Sequence, residues 1–144
     1  MVGLLVTGHG HFATGLGSAL QLIAGENPNI VYVDFEADHS TETLTANLNK
    51  GLDQMKECSG VLVLADLAGG SPFKCAVECK FARPDQPVEV LAGTNLPMLI
   101  EASMSMTMYD DPQVMVDAIA ESGKNFIMKF VLETHEDNAE EDGI

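Results

Sequence analysis

The sequence has few basic residues relative to its acidic ones. Only seven Lys and Arg stand against 22 Asp and Glu, so the formal net charge is −15 at pH 7. A field of that sign repels nucleic acid and anionic membrane surfaces, and it favours partners with a basic contact face. We therefore expect neither nucleic-acid binding nor direct insertion into a membrane.

Cysteines and long apolar runs are also scarce. The chain has three cysteines, an odd number that fits a reducing compartment better than a disulfide framework. Cys75 and Cys79 share one face of a predicted helix with no further metal ligand nearby, so we expect them to be buried small hydrophobes. No run approaches the ~20 apolar residues of a membrane span, and the N-terminus lacks a signal-peptide pattern. These absences predict a cytoplasmic protein, and we expect no metal and no cofactor.

The length and the distribution of charge suggest one domain followed by a tail. A chain of 144 residues is long enough to bury one hydrophobic core. Residues 133–144 contain six acidic residues and no Lys or Arg. We expect a single domain over residues 1–132 and a disordered acidic tail over 133–144.

Apolar strand-like segments alternate with helical patterns along the chain. Strands are expected at Val2–Thr7, Ile30–Phe35, Gly60–Ala65 and Val88–Ala92. Helices are expected at Phe12–Ala24, from Ser40, at Ser71–Ala82, from Pro97 and from Pro112. This alternation is typical of an α/β fold with a mainly parallel sheet.

The third strand indicates how that sheet is covered. Gly60–Ala65 is apolar on both faces, as in a sheet enclosed by two helix layers. We therefore expect three layers, α/β/α, with strand order 2-1-3-4. The apolar, β-prone segment Asn125–Leu132 is expected to add an edge strand at the C-terminal end of the fold, either antiparallel or paired with another subunit.

His9 and Asp66 follow the first and third strands, which are neighbours in that strand order. Ligands bind to open α/β sheets outside the carboxyl ends of the strands where the order reverses, and both residues fall at that point. A carboxylate that accepts a hydrogen bond from one imidazole nitrogen fixes the tautomer and leaves the other nitrogen free as a nucleophile. The pair therefore predicts a nucleophilic histidine, His9, oriented by Asp66.

A glycine loop follows Asp66 and leads into the third helix. Gly69 and Gly70 precede Ser71 and Pro72, which are interpreted as the N-cap and first residue of that helix. Exposed backbone N–H groups, the helix dipole and the Ser71 hydroxyl together suit the oxygens of a phosphoryl group. The combination predicts phosphoryl transfer through a phosphohistidine.

Three segments, in this order, resemble the mannose-family enzyme IIA domains of the bacterial sugar phosphotransferase system. They are Thr7–Gly10 with Phe12-Ala13, Asp66–Phe73 and Ala92–Leu99. The resemblance covers Met1 to about Leu132. It implies a cytoplasmic carrier that takes a phosphoryl group from phospho-HPr and passes it to a IIB component of a membrane sugar permease. It also implies a homodimer in which the last strand is exchanged between subunits.

The resemblance assigns roles to individual residues. His9 takes the place of the family's phosphoryl acceptor, as a tele-phosphohistidine, Asp66 of its paired aspartate and Ser71 of its phosphate-contacting serine. Lys74 stands where a small or amide residue is usual, which bears on partner preference. Because the sequence shows no IIB portion, we expect the IIB partner to be a separate chain.

Other interpretations remain open from the sequence. A phosphoryl-accepting subunit of a dihydroxyacetone kinase shares the fold, and a regulatory module controlled by its phosphorylation state would use the same site. A non-catalytic binding domain is a further alternative. His11 completes a His-x-His pattern that occurs in metal sites, but the barrels that use it after a first strand need about 250 residues. We interpret His11 as a residue of the site's rim or a partner contact.

Overall fold

The computed structural model describes residues 1–134 and contains four strands and five α-helices in alternation. The strands are β1 (Val2–His9), β2 (Ile30–Phe35), β3 (Gly60–Ala65) and β4 (Val88–Leu91). The helices are α1 (Phe12–Ala24), α2 (Thr41–Gln54), α3 (Ser71–Ala82), α4 (Leu96–Ser105) and α5 (Pro112–Asn125), with a 3₁₀ turn at Met106–Met108. Within residues 1–134, no helix has the length and apolar character of a membrane span.

All four strands are parallel and lie in the order β2-β1-β3-β4, as the sequence predicts. The chain moves from β1 to β2 on one side, and then returns past β1 to place β3 on the other side. The carboxyl ends of β1 and β3 therefore meet at the point where the winding reverses. Ligands bind to doubly wound sheets at this point.

Side chains of the central strands alternate between two helix layers, because successive residues of a strand point to opposite faces. Leu4 and Val6 of β1 pack into a core formed with α1, α4 and α5. Leu5 packs into the other core, formed with α2 and α3. Cys75 and Cys79 are buried in this second core, as expected for small hydrophobic residues. The three-layer architecture predicted from the sequence is therefore confirmed.

Side chains at the loop–helix junctions cap the N-termini of three helices. Ser40 accepts a hydrogen bond from the backbone N–H of Thr43 at 3.1 Å, and Asn95 accepts one from Met98 at 3.0 Å. These contacts satisfy N–H groups that have no partner within the helix. Asp111 performs the same function for α5. Three helix starts inferred from the sequence thus rest on side-chain caps.

The predicted C-terminal edge strand is not confirmed. Residues 127–134 have no regular secondary structure, and α5 extends through Gly123 to Asn125. Gly123 lies within α5 and is buried against Met98, where an added Cβ would clash with the Met98 side chain. Most of the predicted acidic tail lies outside the described residues.

Candidate active site

His9 and Asp66 are in direct contact at the carboxyl edge of the sheet. The Nδ1 atom of the imidazole lies 2.7 Å from Oδ2 of Asp66, and the backbone N–H of His9 donates to the same oxygen at 2.9 Å. The imidazole is half exposed, whereas the Asp66 carboxylate is only 9% exposed. The pair predicted from strand order is therefore formed, with the imidazole accessible and the carboxylate covered.

The local backbone explains why these two residues meet. His9 is the last residue of β1 and is in register with Phe35, so β1 extends two residues beyond its predicted end at Thr7. Asp66 directly follows β3, and its backbone N–H donates to the carbonyl of Thr7 at 3.1 Å. The parallel pairing of β1 with β3 thus continues up to the residue that carries the carboxylate.

The hydrogen bonds to Asp66 hold it in its ionised form. Burial acts to raise the pKa of Asp66, but the hydrogen bonds from the His9 backbone, the His9 imidazole and the Leu67 backbone outweigh it and lower the pKa. The Leu67 N–H donates to Oδ1 at 2.8 Å, so both carboxylate oxygens have a donor. The ionised Asp66 accepts a hydrogen bond from the Nδ1–H group of His9. The lone pair of Nε2 is then available for an electrophile.

Two further residues restrict the position of the imidazole. A Cβ added at Gly70 would lie 2.8 Å from Cε1 of His9 and 3.5 Å from Nε2, so only glycine allows the ring this position. On another side, the Phe35 ring approaches the imidazole edge-on, with centroids 6.0 Å apart and planes inclined by 61°. The nucleophilic nitrogen therefore lies beside the backbone of the glycine loop.

The glycine loop and the start of α3 lie beside His9, and the structure corrects one assignment made there. Gly70 is the N-cap of α3 and Ser71 is its first helical residue, so the assignment of Ser71 as the cap was wrong. Gly70 caps the helix because its extended backbone (φ −80°, ψ 167°) lies next to His9 and leaves no room for a side chain. Gly69 turns the loop with φ +83°, a conformation that favours glycine.

Ser71 carries a hydroxyl that is free to bind a ligand. Its Oγ makes no hydrogen bond to any other residue within 1–134, and its side chain is partly exposed. Backbone N–H groups at the first turn of a helix have no partner within the helix and attract anions. The Ser71 hydroxyl and these N–H groups therefore present hydrogen-bond donors at the start of α3, which Gly70 caps beside His9.

Asp34, which the sequence analysis missed, organises a second histidine at the same edge. The Asp34 carboxylate accepts hydrogen bonds from the Thr14 backbone at 3.0 Å and the Thr14 hydroxyl at 2.6 Å, and lies 3.1 Å from Nδ1 of His11. Burial acts to raise the pKa of Asp34, but these hydrogen bonds and the charge of His11 outweigh it and lower the pKa. Asp34 is the last but one residue of β2 and Asp66 directly follows β3, and this position near a strand end was the signal available in the sequence.

His11 differs from His9 in what surrounds its second nitrogen. Nε2 of His11 lies 3.4 Å from a carboxylate oxygen of Glu36, and the side chain is 72% exposed. Carboxylates next to both ring nitrogens repel an incoming phosphoryl group. Within residues 1–134, no cluster of histidine, cysteine and carboxylate side chains has the arrangement of a metal site. Nε2 of His9 is therefore accessible, whereas both ring nitrogens of His11 lie next to carboxylates.

Comparison with known proteins identifies the family. Residues 3–120 match the EIIA-man family model, described as PTS system fructose IIA component. The PTS system fructose-specific EIIA component of Bacillus subtilis is 34% identical over 101 residues, covering 70% of this chain and 68% of that protein. The EIIA component from Streptococcus agalactiae has a similar crystal structure, with a TM-score of 0.83 and 32% identity over 90% of this chain and 97% of that one.

A longer relative matches over part of its length. The PTS system mannose-specific EIIAB component of Escherichia coli is 34% identical over 111 residues, which are 77% of this chain. The match covers 33% of the E. coli protein, so this chain spans about a third of the length of that relative.

The fold and the comparisons together place the chain among the IIA components of bacterial sugar phosphotransferase systems. Within that class, the chain belongs to the EIIA-man family, as the resemblance of its three motifs implied. This membership favours the sugar-transport branch over the dihydroxyacetone kinase and regulatory alternatives.

Proposed function

We propose that residues 1–132 form a cytoplasmic phosphoryl carrier in which His9 is the acceptor. In this proposal Nε2 of His9 attacks the phosphorus of phospho-HPr, the phosphorus–nitrogen bond to HPr breaks, and the HPr imidazole recovers its electron pair. A IIB component then takes the phosphoryl group from His9 by the same exchange. The contact that carries the proposal is the 2.7 Å hydrogen bond between Nδ1 of His9 and Asp66.

The geometry supports phosphorylation of His9 on Nε2. Phosphorylation of Nε2 leaves the proton on Nδ1 and places a positive charge on the imidazole ring. The ionised Asp66 carboxylate accepts that proton in a hydrogen bond, and stabilises the charge. The hydrogen bond is present before and after transfer, and it is stronger when the imidazole carries the positive charge, so Asp66 favours phosphoryl uptake by His9.

The proposed cradle for the phosphoryl group consists of Gly69, Gly70 and Ser71. The close approach of Gly70 to Nε2 supports a position for the phosphoryl oxygens near the first N–H groups of α3. Ser71 supplies a hydroxyl donor on the same turn. Charge in the transition state of phosphoryl transfer is spread over these oxygens, so donors fixed in advance lower the barrier.

We further propose that the chain functions as a homodimer in which the segment after α5 pairs with the partner subunit. Within residues 1–134, β4 has a neighbour on one edge only, so its outer edge is open to a further strand. The apolar side chains of Phe126, Ile127, Met128, Phe130, Val131 and Leu132 are between 56% and 82% exposed. A run of this kind is typical of a segment that another chain covers.

The proposed function is tested with the upstream components of the pathway. We would incubate the chain with phosphoenolpyruvate, enzyme I and HPr, and measure phosphoryl uptake by intact mass. We expect one acid-labile group in the wild type and in His11→Ala, and none in His9→Ala. Labelling of His9→Ala would contradict the proposal. Discharge of the labelled chain by a candidate IIB protein would then distinguish transport from regulation, because a regulatory module would keep its label.

A further inference from the structure

Lys74 is a cation without a partner next to the proposed phosphoryl cradle. It lies in the first turns of α3, and its backbone N–H donates to the carbonyl of Gly70 at 2.9 Å. Its side chain is exposed, and within residues 1–134 its ammonium group forms no ion pair and no hydrogen bond. Glu78 follows one turn later on the same face, yet the two charges are not paired.

The position of Lys74 is unfavourable for the protein without a bound anion. A positive charge near a helix N-terminus is repelled by the helix dipole, and an unpaired lysine gains nothing to offset this. Side chains on a helix point back toward its N-terminus, which for Lys74 is the direction of Gly70 and Ser71. Ser71 and Lys74 line the same groove between α2 and α3, together with the carboxylates of Glu42 and Glu78, and Lys74 forms an ion pair with neither of them within residues 1–134. Lys74 therefore suits an anion at the start of α3.

A phosphoryl group on His9 would supply that anion. It adds about two negative charges beside the Asp66 carboxylate, in a chain whose formal net charge is already −15. Without a nearby cation, this crowding of negative charge opposes phosphorylation. Lys74 is a basic residue placed one turn from the proposed cradle.

We propose that Lys74 compensates the charge of the phosphoryl group on His9 and thereby stabilises the phosphorylated state. The proposal rests on the proposed function, and extends it by assigning a charge-compensating residue. Lys74 acts on the phosphoryl oxygens by attraction, and it neither forms nor breaks a covalent bond. Its removal should lower the equilibrium yield of phosphohistidine even when the phosphoryl donor is a small molecule.

The test compares Lys74→Gln with a matched control, Lys56→Gln. Lys56 lies between α2 and β3, at the opposite edge of the sheet, and is similarly exposed, so its loss removes the same charge far from the cradle. Each variant is equilibrated with phospho-HPr, and the transfer equilibrium constant is measured by quenched intact mass. We expect a decrease of about threefold in Lys74→Gln, no change in Lys56→Gln, and near wild-type behaviour in Lys74→Arg.

A second measurement removes the protein donor. Each variant is labelled with potassium phosphoramidate, and the ionisation of the phosphoryl group on His9 is followed by ³¹P NMR as a function of pH. Because a nearby cation favours the dianion, we expect the phosphoryl pKa to rise by about half a unit in Lys74→Gln. A structural role alone would leave this titration unchanged.

The outcomes separate this proposal from the one on which it rests. An unchanged equilibrium constant and an unchanged phosphoryl titration in Lys74→Gln would overturn the role of Lys74, while the acceptor role of His9 would stand. A change confined to the KM for phospho-HPr would also overturn it, because Lys74 would then contact the partner protein. If the wild-type chain carried no phosphoryl group on His9, both proposals would fail together.

Discussion

A single carboxylate oxygen, Oδ2 of Asp66, accepts hydrogen bonds from both the backbone N–H and the imidazole Nδ1 of His9. The two distances are 2.9 and 2.7 Å. One bond fixes the end of β1 relative to β3, and the other fixes the tautomer and direction of the ring. Asp66 therefore determines both where the nucleophile lies and which of its nitrogens is presented to solvent.

Substitution of Asp66 tests that double role. In Asp66→Asn the side-chain oxygen still accepts one hydrogen bond, but the negative charge that stabilises a positively charged imidazole is lost. We expect the rate of phosphoryl uptake to fall on the order of 100-fold. We also expect a cost of about 1–2 kcal/mol in the free energy of unfolding, since three donors lose a charged acceptor. Rapid-quench mass spectrometry and urea unfolding measure the two effects, and an unchanged transfer rate would remove Asp66 from the mechanism.

Gly70→Ala tests the close contact between the glycine loop and the imidazole. The backbone of Gly70 is extended and acceptable for alanine, so the substitution introduces a steric contact with Cε1 of His9 at 2.8 Å rather than backbone strain. We expect the ring to be displaced and phosphoryl uptake to slow about tenfold or more. The control is Gly15→Ala, at an exposed helical position where an added Cβ meets nothing within 4 Å. Equal uptake by the two variants would show that Gly70 does not position His9.

The capping of α1 by Asp34 predicts a pH-dependent contribution to stability. The carboxylate accepts two hydrogen bonds from Thr14, and its pKa is lowered in the folded protein. A lowered folded-state pKa gives a stabilisation that is complete above the unfolded value of about 3.9 and is lost as the pH falls through the folded value. We therefore expect Asp34→Asn to cost about 1 kcal/mol at pH 7. In urea unfolding the difference from wild type should narrow as the pH falls below the unfolded value of about 3.9; a constant difference would contradict this account.

The exposed apolar segment after α5 predicts a change of oligomeric state when charge is introduced. Ile127 and Phe130 are 79% and 82% exposed, so replacing both with Asp removes no packing within the described chain. If a partner subunit covers them, the double variant should be monomeric by light scattering, whereas the wild type should be dimeric. The exposed residue Leu22, on α1 and 91% exposed, provides the control in Leu22→Asp. A monomeric wild type would contradict the proposed dimer.

The sheet order and the central pair followed from the sequence because each depends on a robust pattern. Alternation of strands and helices, with a third strand apolar on both faces, leaves few ways to wind a parallel sheet. Once β1 and β3 are neighbours, the residues that end them, His9 and Asp66, must lie at one edge. The glycine loop before α3 has its own signature in the Ser-Pro start of the helix.

The remaining features depend on distances that a sequence pattern does not contain. Gly70, which lies against the His9 imidazole, caps α3 in place of the predicted Ser71. α5 continues through Gly123, which is buried against Met98, to Asn125, the first residue of the predicted edge strand. The rest of that segment pairs with neither open edge of the sheet within residues 1–134.

The central proposal is that Nε2 of His9 receives the phosphoryl group while Nδ1 remains hydrogen-bonded to Asp66. The most direct test is a ¹⁵N–³¹P correlation NMR spectrum of the ¹⁵N-labelled chain after phosphorylation by phosphoenolpyruvate, enzyme I and HPr. We expect phosphorus to couple to Nε2 of His9, with the proton retained on Nδ1. Coupling to Nδ1 of His9, or to either nitrogen of His11, would contradict it.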